Sequence, residues 1–162
     1  MEQTGRLRRG SCRACQGIAS VELAIVAPVL IFIMFAIMEF GVLFSVAVQL
    51  EAMARTAARA AAAGESWNRA WQRTEPLRCN LDCSRLSLVL EYKEYLGDGQ
   101  WADDWQPLQS DGSFNTAPAN SIIRATVIYH HKLLLPGLFT FLVDDPEEGT
   151  KALVARVAMP RT

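Results

Sequence analysis

The sequence contains few of the residue types from which catalytic and metal sites are built. Its 162 residues include two histidines and four cysteines, and the histidines, His130 and His131, are adjacent. Adjacent residues of a strand point to opposite faces, so these two imidazoles cannot easily act together. The sequence has no Gly-rich phosphate loop and no signature of a catalytic triad. We therefore predict that the protein is not an enzyme and needs no cofactor or metal.

Dense positive charge is also absent, except in a short N-terminal leader. Residues 1–17 contain four arginines and one glutamate, which gives this segment +3, whereas the whole chain carries −1. The remaining residues therefore carry −4. Such a distribution offers no basic surface for nucleic acid, and none is expected as a partner.

Charge is almost missing from the 26 residues of the run Leu23–Val48, where only Pro28, Glu39, Gly41 and Ser45 interrupt the apolar character. A helix of this length extends about 39 Å, more than the ~30 Å hydrocarbon core of a bilayer. The apolar region of a cleaved signal peptide is shorter, at ~7–15 residues. Residues 18–48 are therefore predicted to form a transmembrane helix in contact with membrane lipid.

The arginines of the leader set the predicted orientation. Positive charge close to the start of a membrane helix holds that flank in the cytoplasm. The N-terminus is therefore expected inside and the body of the protein outside. The residues concerned are Arg6, Arg8, Arg9 and Arg13.

Two carboxylates in the apolar run need an explanation. With Ile18 at the inner face, Glu22 lies about 6 Å deep and Glu39 about 31 Å along the helix, near the far face. Both can be interfacial residues, and a helix–helix contact is an equal alternative for Glu39. For Glu22 a cut after Gly17 gives a better account. Glu22 would then be the fifth residue of the new chain, where the helix dipole and the Ile18 amine both favour a carboxylate.

The stretch Gly17-Ile18-Ala19-Ser20-Val21-Glu22 resembles the class III signal of type IV prepilins and pseudopilins. Together with Pro28, Glu39-Phe40-Gly41 and Ala57-Ala58-Arg59-Ala60-Ala61-Ala62, it is similar to the TadE-like proteins of tight-adherence (Flp) pilus systems. Leu23 stands where the family usually has Phe, a conservative departure.

This resemblance implies a structural pseudopilin that acts in pilus assembly. A prepilin peptidase would cut between Gly17 and Ile18, and Glu22 and Glu39 would serve assembly. The implied partners are the peptidase, other pilins or pseudopilins and the inner-membrane assembly platform. The implied location is the bacterial inner (cytoplasmic) membrane, with the C-terminal domain periplasmic or extracellular.

The predicted architecture is α+β and pilin-like, a long N-terminal transmembrane helix that extends into a small domain with an antiparallel sheet. Pro28 is expected to kink the membrane helix. Residues 49–75 are predicted as a helical extension that Gly64-Glu65-Ser66 ends or interrupts. Packing of its alanine face on the protein's own domain is favoured over a subunit interface, and both can hold in an assembled filament. Residues 76–162 form the β-rich domain. Its strand candidates are residues 87–92, 122–129 and 152–159.

The cysteines fall into two pairs on opposite sides of the membrane helix. Cys79 and Cys83 lie in the region placed outside, where a disulfide closing a small loop is favoured over half a zinc site. Cys12 and Cys15 lie in the leader that cleavage would remove.

Two other functions remain open at this stage. The chain could be an unprocessed single-pass membrane protein with a periplasmic binding domain. A membrane-anchored enzyme is the weaker alternative, because no catalytic constellation is visible.

Overall fold

The computed structural model describes residues 13–78, 80–112 and 114–161 of the chain. These residues fall into two compact units, one ending at Phe40 and the other beginning at Gly41. Both contain part of a single long helix, α1, which runs from Arg13 to Ala62.

In the first unit α1 exposes apolar side chains in all directions. The consecutive residues Ile31, Phe32, Ile33 and Met34 are 50%, 42%, 47% and 53% exposed, and four consecutive positions point to every side of a helix. The segment Ser20–Ala62 is long and apolar enough to cross a membrane, with a mean hydropathy of 2.7 in its most apolar 18-residue window. A helix that is apolar all round suits a lipid environment. The predicted long apolar helix is confirmed. Pro28 lies inside it, and the kink stays a prediction.

The helix ends where the sequence suggested a break. Ala63 and Gly64 form a turn, and Gly64 has φ = +90°, a conformation that glycine adopts without the steric cost of a side chain. Helix α2 then covers Trp67–Arg73, and short 3-10 helices cover Glu75–Leu77 and Cys83–Arg85. The helical extension expected over residues 49–75 is thus divided by a turn.

The rest of the second unit is built on an antiparallel sheet. Its main strands are β1 (Leu86–Lys93), β7 (Ile122–Lys132) and β8 (Thr150–Pro160). Strand β7 is central and pairs with β1 on one side and β8 on the other, while the short β4 (Gln106–Pro107) adds to the outer edge of β1. All pairings are antiparallel, as predicted.

The three strand candidates lie within β1, β7 and β8, and the structure lengthens the first and the third at both ends and the second at its C-terminal end. Between β1 and β7 the chain makes small hairpins. Their strands are β2 (Tyr95–Gly97) with β3 (Gln100–Trp101), and β5 (Ser110–Asp111) with β6 (Phe114–Asn115).

The core lies between the last part of α1 and one face of the sheet. On the helix Leu50 and Met53 are buried together with an alanine stripe, and on the sheet Leu88 and Val127 belong to the same cluster. Ala54, Ala57, Ala58 and Ala61 are completely buried. Small side chains permit close approach of the sheet to the helix, so the predicted packing of the alanine face on the protein's own domain is confirmed.

Candidate processing and assembly site

The predicted cleavage bond lies inside α1. Gly17 and Ile18 both have helical backbone, and the helix continues without interruption to Glu22. Five residues of α-helix rise about 7.5 Å, which is between one and two turns. A cut at this bond would therefore leave Ile18 as the first residue of the helix, with Glu22 in the following turn.

Glu22 lies on the exposed surface of α1. Its neighbours Val21 and Leu23 are 61% and 65% exposed, and Glu22 is itself in the exposed class. It is the only charged residue between Ser20 and Met38. A carboxylate at the centre of a bilayer costs ~2.5 kcal/mol or more, so such a group favours the interface or a cationic partner.

Glu39 has different surroundings. Its side chain is only 1% exposed, whereas the adjacent Met38 and Phe40 are 51% and 49% exposed. The two carboxylates that the resemblance assigned to assembly therefore have different surroundings. Glu22 is accessible to another molecule, Glu39 is buried, and a role of Glu39 in assembly stays a prediction.

The cysteines contribute little to the described site. Cys83 is exposed and has no disulfide partner among the described residues, and its Sγ lies 3.9 Å from the carbonyl oxygen of Leu81. Cys79 lies outside the described residues, so the Cys79–Cys83 disulfide stays a prediction. Cys12 is also outside them, while Cys15 belongs to the backbone of α1.

The histidines and acidic residues form no metal site in the described residues, where no group of three His, Cys, Asp or Glu side chains is placed to hold an ion. His130 is exposed and His131 is half-buried, as their strand positions predicted. Asp144 accepts hydrogen bonds from Lys151 Nζ at 2.8 Å and from the Ala152 amide at 3.0 Å. The Lys151 bond, followed by that from Ala152, lowers the pKa of Asp144. This carboxylate secures the start of β8.

Sequence reasoning missed the residue that holds the end of α1. The Asn115 side-chain amide donates to the carbonyl oxygens of Ala61 and Glu65 at 2.7 and 2.8 Å, and its backbone N–H donates to that of Gly64 at 2.9 Å. The Arg161 guanidinium donates in turn to the side-chain oxygen Oδ1 of Asn115. The signal is invisible in sequence, because Asn115 is 54 residues from Ala61.

The segment that carries Gly17, Glu22 and the exposed surface of α1 also matches a known family. Residues 17–59 match the sequence model of the family described as TadE-like protein. This part of the chain is similar to the TadE-like family. The resemblance inferred from the glycine, the glutamates and the alanine-rich segment is thereby confirmed.

The TadE-like match begins at the glycine of the predicted cut and ends within α1, before the sheet begins. Searches among curated proteins and among solved structures gave no significant match.

Proposed function

We propose that this chain is the precursor of a TadE-like pseudopilin. It is inserted into the bacterial inner membrane with its N-terminus in the cytoplasm and its sheet domain in the periplasm or outside the cell. A prepilin peptidase cuts it after Gly17. The product then acts in assembly of a tight-adherence (Flp-type) pilus, together with other pilins or pseudopilins and the inner-membrane assembly platform.

One juxtaposition carries this proposal. An exposed carboxylate, Glu22, lies five residues beyond Gly17 at the head of a helix that exposes apolar side chains on every side. An apolar surface of this kind suits both lipid and the helices of other subunits. The match to the TadE-like family starts at the same glycine.

Glu22 gives assembly a specific contact that apolar packing lacks. After cleavage the Ile18 amine becomes a cation at the head of the helix, and it is available to the Glu22 carboxylate of the same or a neighbouring subunit. A hydrogen bond to a charged group contributes ~1.5–3 kcal/mol, and more where water is excluded. Such a pair would fix the axial position of one helix against the next.

Replacement of Glu22 tests this role without disturbing the cleavage site. In cells that lack the wild-type copy, Glu22→Gln should be processed normally but should assemble sheared surface pili at least about tenfold less well. Glu22→Asp, which keeps the charge, should retain part of the assembly. Immunoblots of the pilus fraction and of the membrane fraction measure the two steps separately.

Glu51→Gln is the matched control, because Glu51 is an exposed carboxylate on the same helix, paired with Arg55 beyond the apolar run. It should leave both steps intact. Undiminished pili in Glu22→Gln would contradict the assembly role. Retention of residues 1–17 in the wild-type protein would favour the competing function, an unprocessed single-pass membrane protein whose outer domain binds something else.

A further inference from the structure

The connection between β7 and β8 exposes large apolar side chains. Leu134, Leu138 and Phe141 are 59%, 44% and 72% exposed, all within eight residues. Two other residues of the same segment, Leu133 and Phe139, are buried and only 2% and 1% exposed. The exposed side chains therefore lie on a loop that these two buried residues hold in place. Residues 133–143 are called the apolar loop below.

The strands place this loop at one particular end of the second unit. Asn115 and Arg161, beside the start of β7 and the end of β8, contact the turn at Gly64 that terminates α1. At the other end of β7, Tyr129 and His131 line a cleft together with Val42 and Val46 of α1. The sheet therefore runs alongside the helix, and the apolar loop follows β7 at the end where Val42 lies.

The lengths of the two elements agree with this placement. The helical segment from Gly41 to Ala62 extends about 32 Å, and the 11 residues of β7 extend about 36 Å. The end of β7 that leads into the loop thus lies level with the first turns of this segment. Those turns belong to the apolar run that ends at Val48, so the loop lies beside the last part of this run.

We propose that the apolar loop is a second membrane contact, which inserts Leu134, Leu138 and Phe141 into the outer interface of the bilayer that α1 crosses. The proposal rests on membrane anchoring by α1 and is independent of cleavage after Gly17. Lipid is the expected occupant because the loop continues the apolar surface of α1 at the point where the helix emerges.

The charges around the loop define the kind of lipid contact. Lys132 precedes the apolar loop on β7, and Lys151 lies at the start of β8. Between the loop and β8 four acidic residues are exposed, namely Asp144, Asp145, Glu147 and Glu148. Negative charge is in excess, so anionic lipid provides no attraction. Insertion should therefore depend on apolar burial and should occur equally in zwitterionic bilayers.

A photoreactive phenylalanine analogue tests the contact directly. The full chain, with p-benzoylphenylalanine in place of Phe141, is reconstituted into phosphatidylcholine nanodiscs and irradiated, and its adducts are identified by mass spectrometry. The expected result is a lipid adduct at position 141, with the same yield when anionic lipid is added.

Phe114 is the matched control. It is 65% exposed and pairs with Glu65 just beyond the end of α1, at the opposite end of the sheet. The analogue at position 114 should give no lipid adduct. Equal lipid labelling at both positions, no labelling at 141, or cross-linked pairs of protein chains through 141 would each overturn the proposal. The analogue in place of Phe32 on α1 should react with lipid whether or not the loop does, which separates loop insertion from membrane anchoring itself.

Discussion

At the residue scale, Asn115 explains why the helix stops where it does. The last carbonyl groups of a helix lack partners within it. The Asn115 side-chain amide donates to the Ala61 carbonyl and, beyond the turn, to the Glu65 carbonyl. Asn115 is 6% exposed, so water cannot easily replace it. One side chain therefore fixes the C-terminus of α1 to the sheet domain.

Replacing this residue should weaken the sheet domain. Asn115→Ala removes the donor to the Glu65 carbonyl and one of the two donors to that of Ala61, and the expected loss in free energy of unfolding is about 1–3 kcal/mol. Urea unfolding of the detergent-solubilised chain, followed by tryptophan fluorescence, measures the change. Asn68→Ala, at an exposed position of α2, should stay within about 0.5 kcal/mol of the wild type. Equal stability of both variants would remove the capping role.

At the element scale, the extent to which sequence determines structure differs between elements. The helix α1 was predictable from its long, nearly unbroken apolar run, and the strands β1, β7 and β8 from runs of β-branched and apolar residues. The two-residue strands β3, β4, β5 and β6 are too short to show such a pattern. Strands that short depend on partners distant in sequence, as in the pairing of Gln106 with Tyr92.

The residues of the candidate site also differ in how far the sequence predicts their properties. Gly17 and Glu22 were recognisable because their spacing is local, whereas the difference between Glu22 and Glu39 depends on tertiary burial. The exposure of the loop between β7 and β8 also needed the structure, since an apolar run in sequence is equally compatible with a buried turn. The sequence indicated which residues are unusual, and only the fold indicated which of them are accessible.

The alanine stripe of α1 gives a test at this scale. Ala57 is completely buried against the sheet, so Ala57→Leu inserts volume where none is available and should destabilise the sheet domain by about 1–3 kcal/mol. Ala47 is an exposed alanine of the same helix, and Ala47→Leu is the control expected to have little effect. Thermal unfolding monitored by circular dichroism compares them. A stable Ala57→Leu variant would indicate space between helix and sheet.

At the scale of the whole molecule, the chain combines an exposed apolar helix with a sheet domain that has its own core. The apolar helix suits membrane anchoring, and the TadE-like match includes it. The leader of residues 1–17 would then direct insertion and processing, and the working molecule would begin at Ile18.

The intact mass of the protein extracted from the membrane of its own cells tests this central claim most directly. The predicted mass is that of residues 18–162, with Ile18 at the N-terminus. Gly17→Ala should retain the full leader, whereas Gly41→Ala should be cut as in the wild type, because a side chain at position 41 meets no atom within 4 Å. A wild-type protein that keeps residues 1–17 would contradict the account.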